Sequence, residues 1–165
     1  MFDNVIDTKY NINMFFYWRF KNNRSKCLVT KWFKVYEMIK KAMIMAAGAG
    51  TRLNPLTLEY PKPLIPVANV PVMEIILTHL KKYGINKVIA NTHTLAEQIH
   101  NKFLENNLGI DFNFVYEGEL AGTAGGVKKT QYFFDKDEDF IVISGDALTD
   151  INFDHIIEVH KKYNA

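Results

Sequence analysis

The stretch Lys41–Pro66, KAMIMAAGAGTRLNPLTLEYPKPLIP, limits what this chain can fold into more than any other. Ala42–Ala47 is an unbroken apolar run, which reads as a buried strand. It empties into Gly48-Ala49-Gly50-Thr51-Arg52, then Asn54-Pro55, then Pro61-Lys62-Pro63. Two readings of the glycines are open. They can form a plain strand-to-helix turn, or they can let backbone N–H groups turn toward an anion with no Cβ in the way. Arg52 and Lys62 favour the second. Arg52 brings a planar fork that matches phosphate oxygens. Prolines on both sides of Lys62 hold that lysine at a lower entropic cost than a free surface lysine.

The rest of the chain alternates. Pro71–Tyr83 carries Val72, Ile75, Ile76, Leu80 and Tyr83 at helical spacing, with proline at its start and Gly84 after its end. Asn86–Asn91 predicts a short buried strand. Leu95–Asn106 predicts a second helix with Leu95, Ile99, Phe103 and Leu104 on one face. In Asp111–Glu117, Phe112, Phe114 and Tyr116 alternate with their neighbours, as in a strand nearer an edge. A second glycine-rich stretch, Gly118–Gly126, leads into a helix expected over Val127–Phe134. Asp139–Ser144 predicts a fourth strand, stopping at Gly145-Asp146. Asp154–Tyr163 predicts a last helix, with Asp150 and Asp154 as candidate caps.

This β-α-β-α-β-α-β-α order predicts an α/β fold, a Rossmann-like three-layer αβα arrangement with a mostly parallel sheet. Open sheets of this kind bind ligands beyond the carboxyl ends of their strands, at a switch in strand order. A strand order of 3-2-1-4 would set strands one and four side by side. Asp146 would then lie across from Gly48–Arg52.

Residues 1–37 do not fit this pattern. They hold 10 of the chain's 22 aromatic residues and a net charge of +4, which leaves −2 on the remainder. The aromatics are clumped, at Phe15–Trp18 and Trp32-Phe33, with no helical or strand period. A basic aromatic arm that touches membrane or nucleic acid is one reading. An extension outside the fold is the favoured one, with the domain over residues 38–165 and Met38 as a natural start. The net charge of +2 gives no electrostatic argument for nucleic acid. A single cysteine, Cys27, excludes an internal disulfide and a cysteine-based metal site. No apolar run approaches the roughly 18 residues of a membrane helix. The expectation is a cytoplasmic protein with neither nucleic acid nor membrane as partner.

The glycine loop fails two common phosphate-binding patterns. Leu53 stands where G-x-G-x-x-G needs its third glycine, and no lysine sits where G-x-x-x-x-G-K-[ST] needs one. The full string GAGTRLNPLT, four residues, then PKPLIPVANVPVMEIIL resembles the sugar-1-phosphate nucleotidylyltransferases, or nucleotide-sugar pyrophosphorylases. Leu120–Gly126 (LAGTAGG) looks like that family's nucleobase-side motif, and Phe140–Asp146 (FIVISGD) like its metal-aspartate strand. The resemblance runs from about Ile39 to Ala165. Glu117 and the GTAGG form lean toward the mannose-1-phosphate guanylyltransferase branch.

That resemblance implies transfer of a nucleotidyl group from an NTP, GTP favoured, to a sugar 1-phosphate, giving NDP-sugar and pyrophosphate. It implies that the backbone of Ala47, Gly48, Ala49, Gly50 and Thr51 cradles the triphosphate. Ala47 stands where many members have glycine. Arg52 would stabilise the phosphates and the leaving pyrophosphate, and Lys62 would bridge the α-phosphate and the sugar phosphate. Gly122 and Glu117 would face the base, and Asp146 would ligate Mg²⁺, a hard ion suited to carboxylate and phosphate oxygens. Family members run longer, and their second half supplies most sugar contacts. The expectation is therefore the nucleotide-binding half of a truncated nucleotidyltransferase fold, with an unpaired sheet edge that another chain could complete. The alternative is a nucleotide-binding fragment or regulatory subunit that does no chemistry.

Overall fold

A computed structural model describes residues 39–134 and 139–163. The expected 1–37 extension and the Met38 start lie outside the described residues. The chain runs β1 (Lys41–Met45), a 3₁₀ turn (Thr51–Leu53), α1 (Leu56–Glu59), a second 3₁₀ turn (Lys62–Leu64), then β2 (Pro66–Val67) and β3 (Val70–Pro71). It continues with α2 (Val72–Lys82), β4 (Lys87–Thr92), α3 (Ala96–Glu105), β5 (Asp111–Tyr116), α4 (Gly122–Thr130), β6 (Ile141–Ser144) and α5 (Phe153–Tyr163).

β1, β4, β5 and β6 form one parallel sheet in the order β5-β4-β1-β6. Counting main-sheet strands alone, this is the 3-2-1-4 order that sets strands one and four side by side. The register sets Met45 beside Asn91 on one side and Ser144 on the other. Three strands therefore end together, and their loops must share one space. Among the described residues β6 pairs with β1 alone, so its outer edge carries no further strand.

Strand alternation divides the core into two layers. Ala42, Ile44 and Ala46 of β1 and its continuation point to the face that holds Ile76, Leu77 and Leu80 of α2, Ile99 and Phe103 of α3, and Phe153 of α5. Met43 points the other way, where Thr130 of α4 donates a hydrogen bond to its sulfur. Each large side chain so buried contributes about 1.5–3 kcal/mol.

Local expectations needed three corrections, and one short hairpin had no expectation attached to it. α4 begins at Gly122, inside the glycine-rich stretch, and gives way to a 3₁₀ turn at Gln131–Phe133. Glycine content alone argued against helix there. Leu104 is 76% exposed, because it lies five positions past Ile99 and falls off the stripe that Phe103 completes. Asn152, rather than Asp150 or Asp154, caps α5, its side-chain oxygen accepting the His155 N–H at 3.1 Å. Pro66–Pro71 closes a small antiparallel hairpin whose two turn residues, Ala68 and Asn69, both have positive φ (49° and 65°).

Candidate functional site

β1 stops being a strand at Met45, but its path is held further. The Ala46 N–H donates to Oδ1 of Asn91 at 2.9 Å, a buried bond from the end of β4. At the loop's other end Gly50 takes a left-handed conformation (φ 68°) and opens the 3₁₀ turn that carries Arg52. Thr57 locks that turn. Its hydroxyl lies 3.0 Å from the Gly50 carbonyl and 2.8 Å from Oδ1 of Asn54. Residues 47–49 thus span two fixed points.

Lys62 projects from the 3₁₀ turn between Pro61 and Pro63, where the Leu64 N–H returns to the Pro61 carbonyl at 2.8 Å. Its ammonium pairs with the Asp146 carboxylate, to which Ser144 also donates. Lys62 first, and then Ser144, hold the Asp146 carboxyl below the usual carboxylate range against a smaller opposing effect of burial. Asp146 reaches this point because the Gly145 N–H extends the β1–β6 ladder to the Met45 carbonyl at 2.8 Å. A Cβ at Gly145 would meet that same carbonyl oxygen at 2.9 Å, so the approach needs glycine.

Glu117 follows β5 and is 1% exposed. Oε1 accepts from the Asn91 side-chain amide at 2.9 Å, and Oε2 accepts the Ala121 N–H at 3.0 Å. A carboxylate at the start of α4 also suits the positive end of the helix dipole. Ala121 precedes Gly122, whose φ of 69° turns the chain into that helix.

These elements enclose one cavity of about 530 Å³. Every residue that the sequence singled out lies on its wall: Ala47, Gly48, Ala49, Gly50, Thr51, Arg52, Lys62, Glu117, Gly122 and Asp146. The wall also holds Asn91 and Ser144, which sequence reasoning passed over. Asn91 closes a strand and gave no motif signal. The only hint was a polar residue ending an otherwise apolar run. Two cations and two carboxylates face this space, so it can receive a polyanion on one side and offer acceptors on the other.

A divalent cation fits part of this donor set. The Asp146 carboxylate is a hard oxygen ligand on the cavity wall, and Mg²⁺ commonly takes one or two carboxylates plus substrate phosphates. Among the described residues no cluster of three or more His, Cys, Asp or Glu side chains could cage a metal without such phosphates. Among the described residues no helix is long and apolar enough to cross a membrane.

A parallel sheet with helices on both faces, and a cavity beyond its strand ends where the strand order reverses, defines a Rossmann-like α/β protein. The model of the Nucleotidyl transferase family matches residues 41–165, and the chain belongs to that family. It is 38% identical over 136 residues to a UTP–glucose-1-phosphate uridylyltransferase of Synechocystis sp., covering 76% of this chain and 35% of the relative. It is 34% identical over 126 residues to the catalytic subunit beta of mannose-1-phosphate guanylyltransferase of Xenopus tropicalis, covering 74% and 35%. The crystal structure of HddC from Yersinia pseudotuberculosis complexed with GMP-PN superposes with a TM-score of 0.66 at 26% identity, covering 74% of this chain and 54% of that one. The chain thus spans about a third of the length of the two curated relatives.

Proposed function

We propose that this site transfers a nucleotidyl group from an NTP to a sugar 1-phosphate and releases pyrophosphate. The observation that carries the reading is the convergence of the glycine loop, Arg52, Lys62, Glu117, Gly122 and Asp146 on one cavity. A sugar phosphate oxygen attacks the α-phosphorus in line, and the bond to the β-phosphate oxygen breaks. Catalysis is then mostly positioning and charge neutralisation. The Ala47–Thr51 backbone cradles the triphosphate. Arg52 steadies the outer phosphates and the leaving pyrophosphate. Lys62, already anchored on Asp146, neutralises the α-phosphate and the incoming phosphate. Asp146 would hold Mg²⁺, which supplies further neutralisation of phosphate charge when bound.

GTP is the favoured donor. The guanylyltransferase relative and the GMP-PN complex agree with this choice, while the uridylyltransferase relative makes UTP the competitor.

A second reading rests on the share of relatives that the chain spans: nucleotide binding without turnover, with the sugar side supplied by further polypeptide. Pyrophosphate release from GTP and mannose 1-phosphate with Mg²⁺ separates the two. Release that disappears in Arg52→Ala and Asp146→Asn supports transfer. Protection of the chain by GTP without release supports binding alone. Neither release nor protection with any NTP refutes both.

A further inference from the structure

Asn91 touches both halves of the cavity wall. Its Oδ1 accepts the Ala46 N–H at the root of the phosphate-side loop, 45 positions away in sequence. Its Nδ2 donates to Oε1 of Glu117 on the other side, and Oε2 of Glu117 takes the Ala121 N–H at the start of α4. The three side-chain bonds form one unbroken line, Ala46–Asn91–Glu117–Ala121, across β1, β4 and β5. Asn91 is 5% exposed and Glu117 1%, so water competes little for these groups. An amide is suited to this place because it can accept on one side and donate on the other.

The packing above the line is equally specific. A Cβ on Gly126 would stand 2.7 Å from Nδ2 of Asn91 and 3.1 Å from Oε1 of Glu117. α4 therefore lies on the pair at a distance only glycine allows. Thr57 fixes the far end of the loop at Gly50, so Asn91 supplies the near-end anchor, the one that links the loop to the base side.

We propose that Asn91 is a positioning residue that ties the triphosphate-side loop to the base-side carboxylate, so that the two parts of a nucleotide are read in a fixed register. The proposal rests on the nucleotide reading above for its functional meaning, while its structural content does not depend on any ligand. If Asn91 lets go, Glu117 loses the donor that orients it, and Ala46 loses its acceptor. Both ends then loosen together.

Amide hydrogen exchange by NMR on the full chain tests this directly. In Asn91→Ala, exchange at Ala46 and at Ala121 should both rise about tenfold or more, while Ile44 and Ala90 inside the sheet keep their rates. Asn91→Asp keeps the acceptor for Ala46 and places a carboxylate against Glu117, so it should spare Ala46 and loosen Ala121. Should Asn91→Ala fail to fold, Gly126→Ala perturbs the same pair from α4 and should move both amides. An unchanged Ala121 in Asn91→Ala overturns the coupling. So does a rise at Ala46 and Ala121 that Ile44 and Ala90 share, which marks a core residue and nothing more. Calorimetry with Mg²⁺-GTP, Mg²⁺-UTP and GMP supplies the functional arm. Asn91→Ala should lower both the GTP-over-UTP preference and the GTP-over-GMP preference by several-fold. No binding to the unaltered chain refutes the nucleotide reading, and the exchange rates still decide the coupling.

Discussion

The two glycines of the loop look equivalent in sequence, and the structure separates them. Gly50 has φ 68°, and a Cβ there would sit 2.8 Å from Cγ2 and 3.3 Å from Cβ of Thr57. Gly48 is exposed, is not among the positive-φ glycines, and has nothing within 4 Å of the place a Cβ would take. Holding alanine in the left-handed region costs about 1–2 kcal/mol. Forcing a methyl into a filled space adds about 1–3 kcal/mol. The stiffer unfolded chain offsets about 0.4–1 kcal/mol of this. Gly50→Ala should therefore destabilise the fold by about 1–4.6 kcal/mol, centred near 3 kcal/mol, and Gly48→Ala by less than about 0.5 kcal/mol. In urea unfolding followed by circular dichroism, the first should lower the midpoint by about 1 M or more and the second should leave it in place.

The steric part has its own test. Thr57→Ser removes Cγ2 and keeps the hydroxyl that reaches the Gly50 carbonyl at 3.0 Å. In the Gly50→Ala background it should recover about 1 kcal/mol, a coupling that a double-mutant cycle reads directly. Equal losses for the two glycine variants would refute the conformational argument. A zero coupling would refute the contact and leave only the backbone strain. Gly48→Ala has a separate expected consequence under the proposed function: with stability kept, Mg²⁺-GTP affinity should fall, because a methyl would stand on the proposed triphosphate path.

Three further outcomes follow from the same geometry. Phe103, 2% exposed and edge-on to Phe112 with ring centroids 5.2 Å apart, should cost about 3–5 kcal/mol on truncation to alanine, measured by urea unfolding. Burial lowers the His100 pKa, partly opposed by Glu97. The unfolded chain then takes up a proton first as pH falls below about 6.5, so this residue lowers stability on the acid side and contributes nothing above it. His100→Gln should flatten that loss when unfolding is compared at pH 5 and 7.5, and an unchanged pH dependence would sink the assignment. For Asp146 the sign is the same, in a lower pH window. Its lowered pKa, due first to Lys62 and then to Ser144, gives stability that is present above the usual carboxylate value of about 3.9 and lost as pH falls through the lower native value. Lys62→Met should raise the Asp146 titration midpoint in carboxyl-carbon NMR, and no upward movement would show that the pair does not form in solution.

Much of the architecture was legible because it is written in local pattern. Ala42–Ala47 announced a buried strand, and the alternation of short apolar runs with helical stripes announced a parallel sheet. The 3-2-1-4 order stood in the sequence only as one of a small set of allowed topologies, and the strand pairing selects it. The ten residues singled out in the glycine loop, in Pro61-Lys62-Pro63, at Glu117 and Gly122 and at Asp146 do share one cavity, because all of them follow strand ends and strands end together. The α4 start was misread because glycine weakens helix locally, while packing decides here: Gly126 is needed for α4 to lie against Asn91 and Glu117.

The sequence by itself determined the strand-and-loop unit around Lys41–Pro66, the class of sheet and the set of charged groups brought to its end. Only the tertiary structure decided how those groups are held. Asn91 meets Ala46 across 45 positions and Glu117 across 26. Lys62 finds Asp146 because β6 lies next to β1. Periodicity reports which face of an element is buried. It carries no record of which buried polar atoms satisfy each other, since that depends on how separate elements align once they pack.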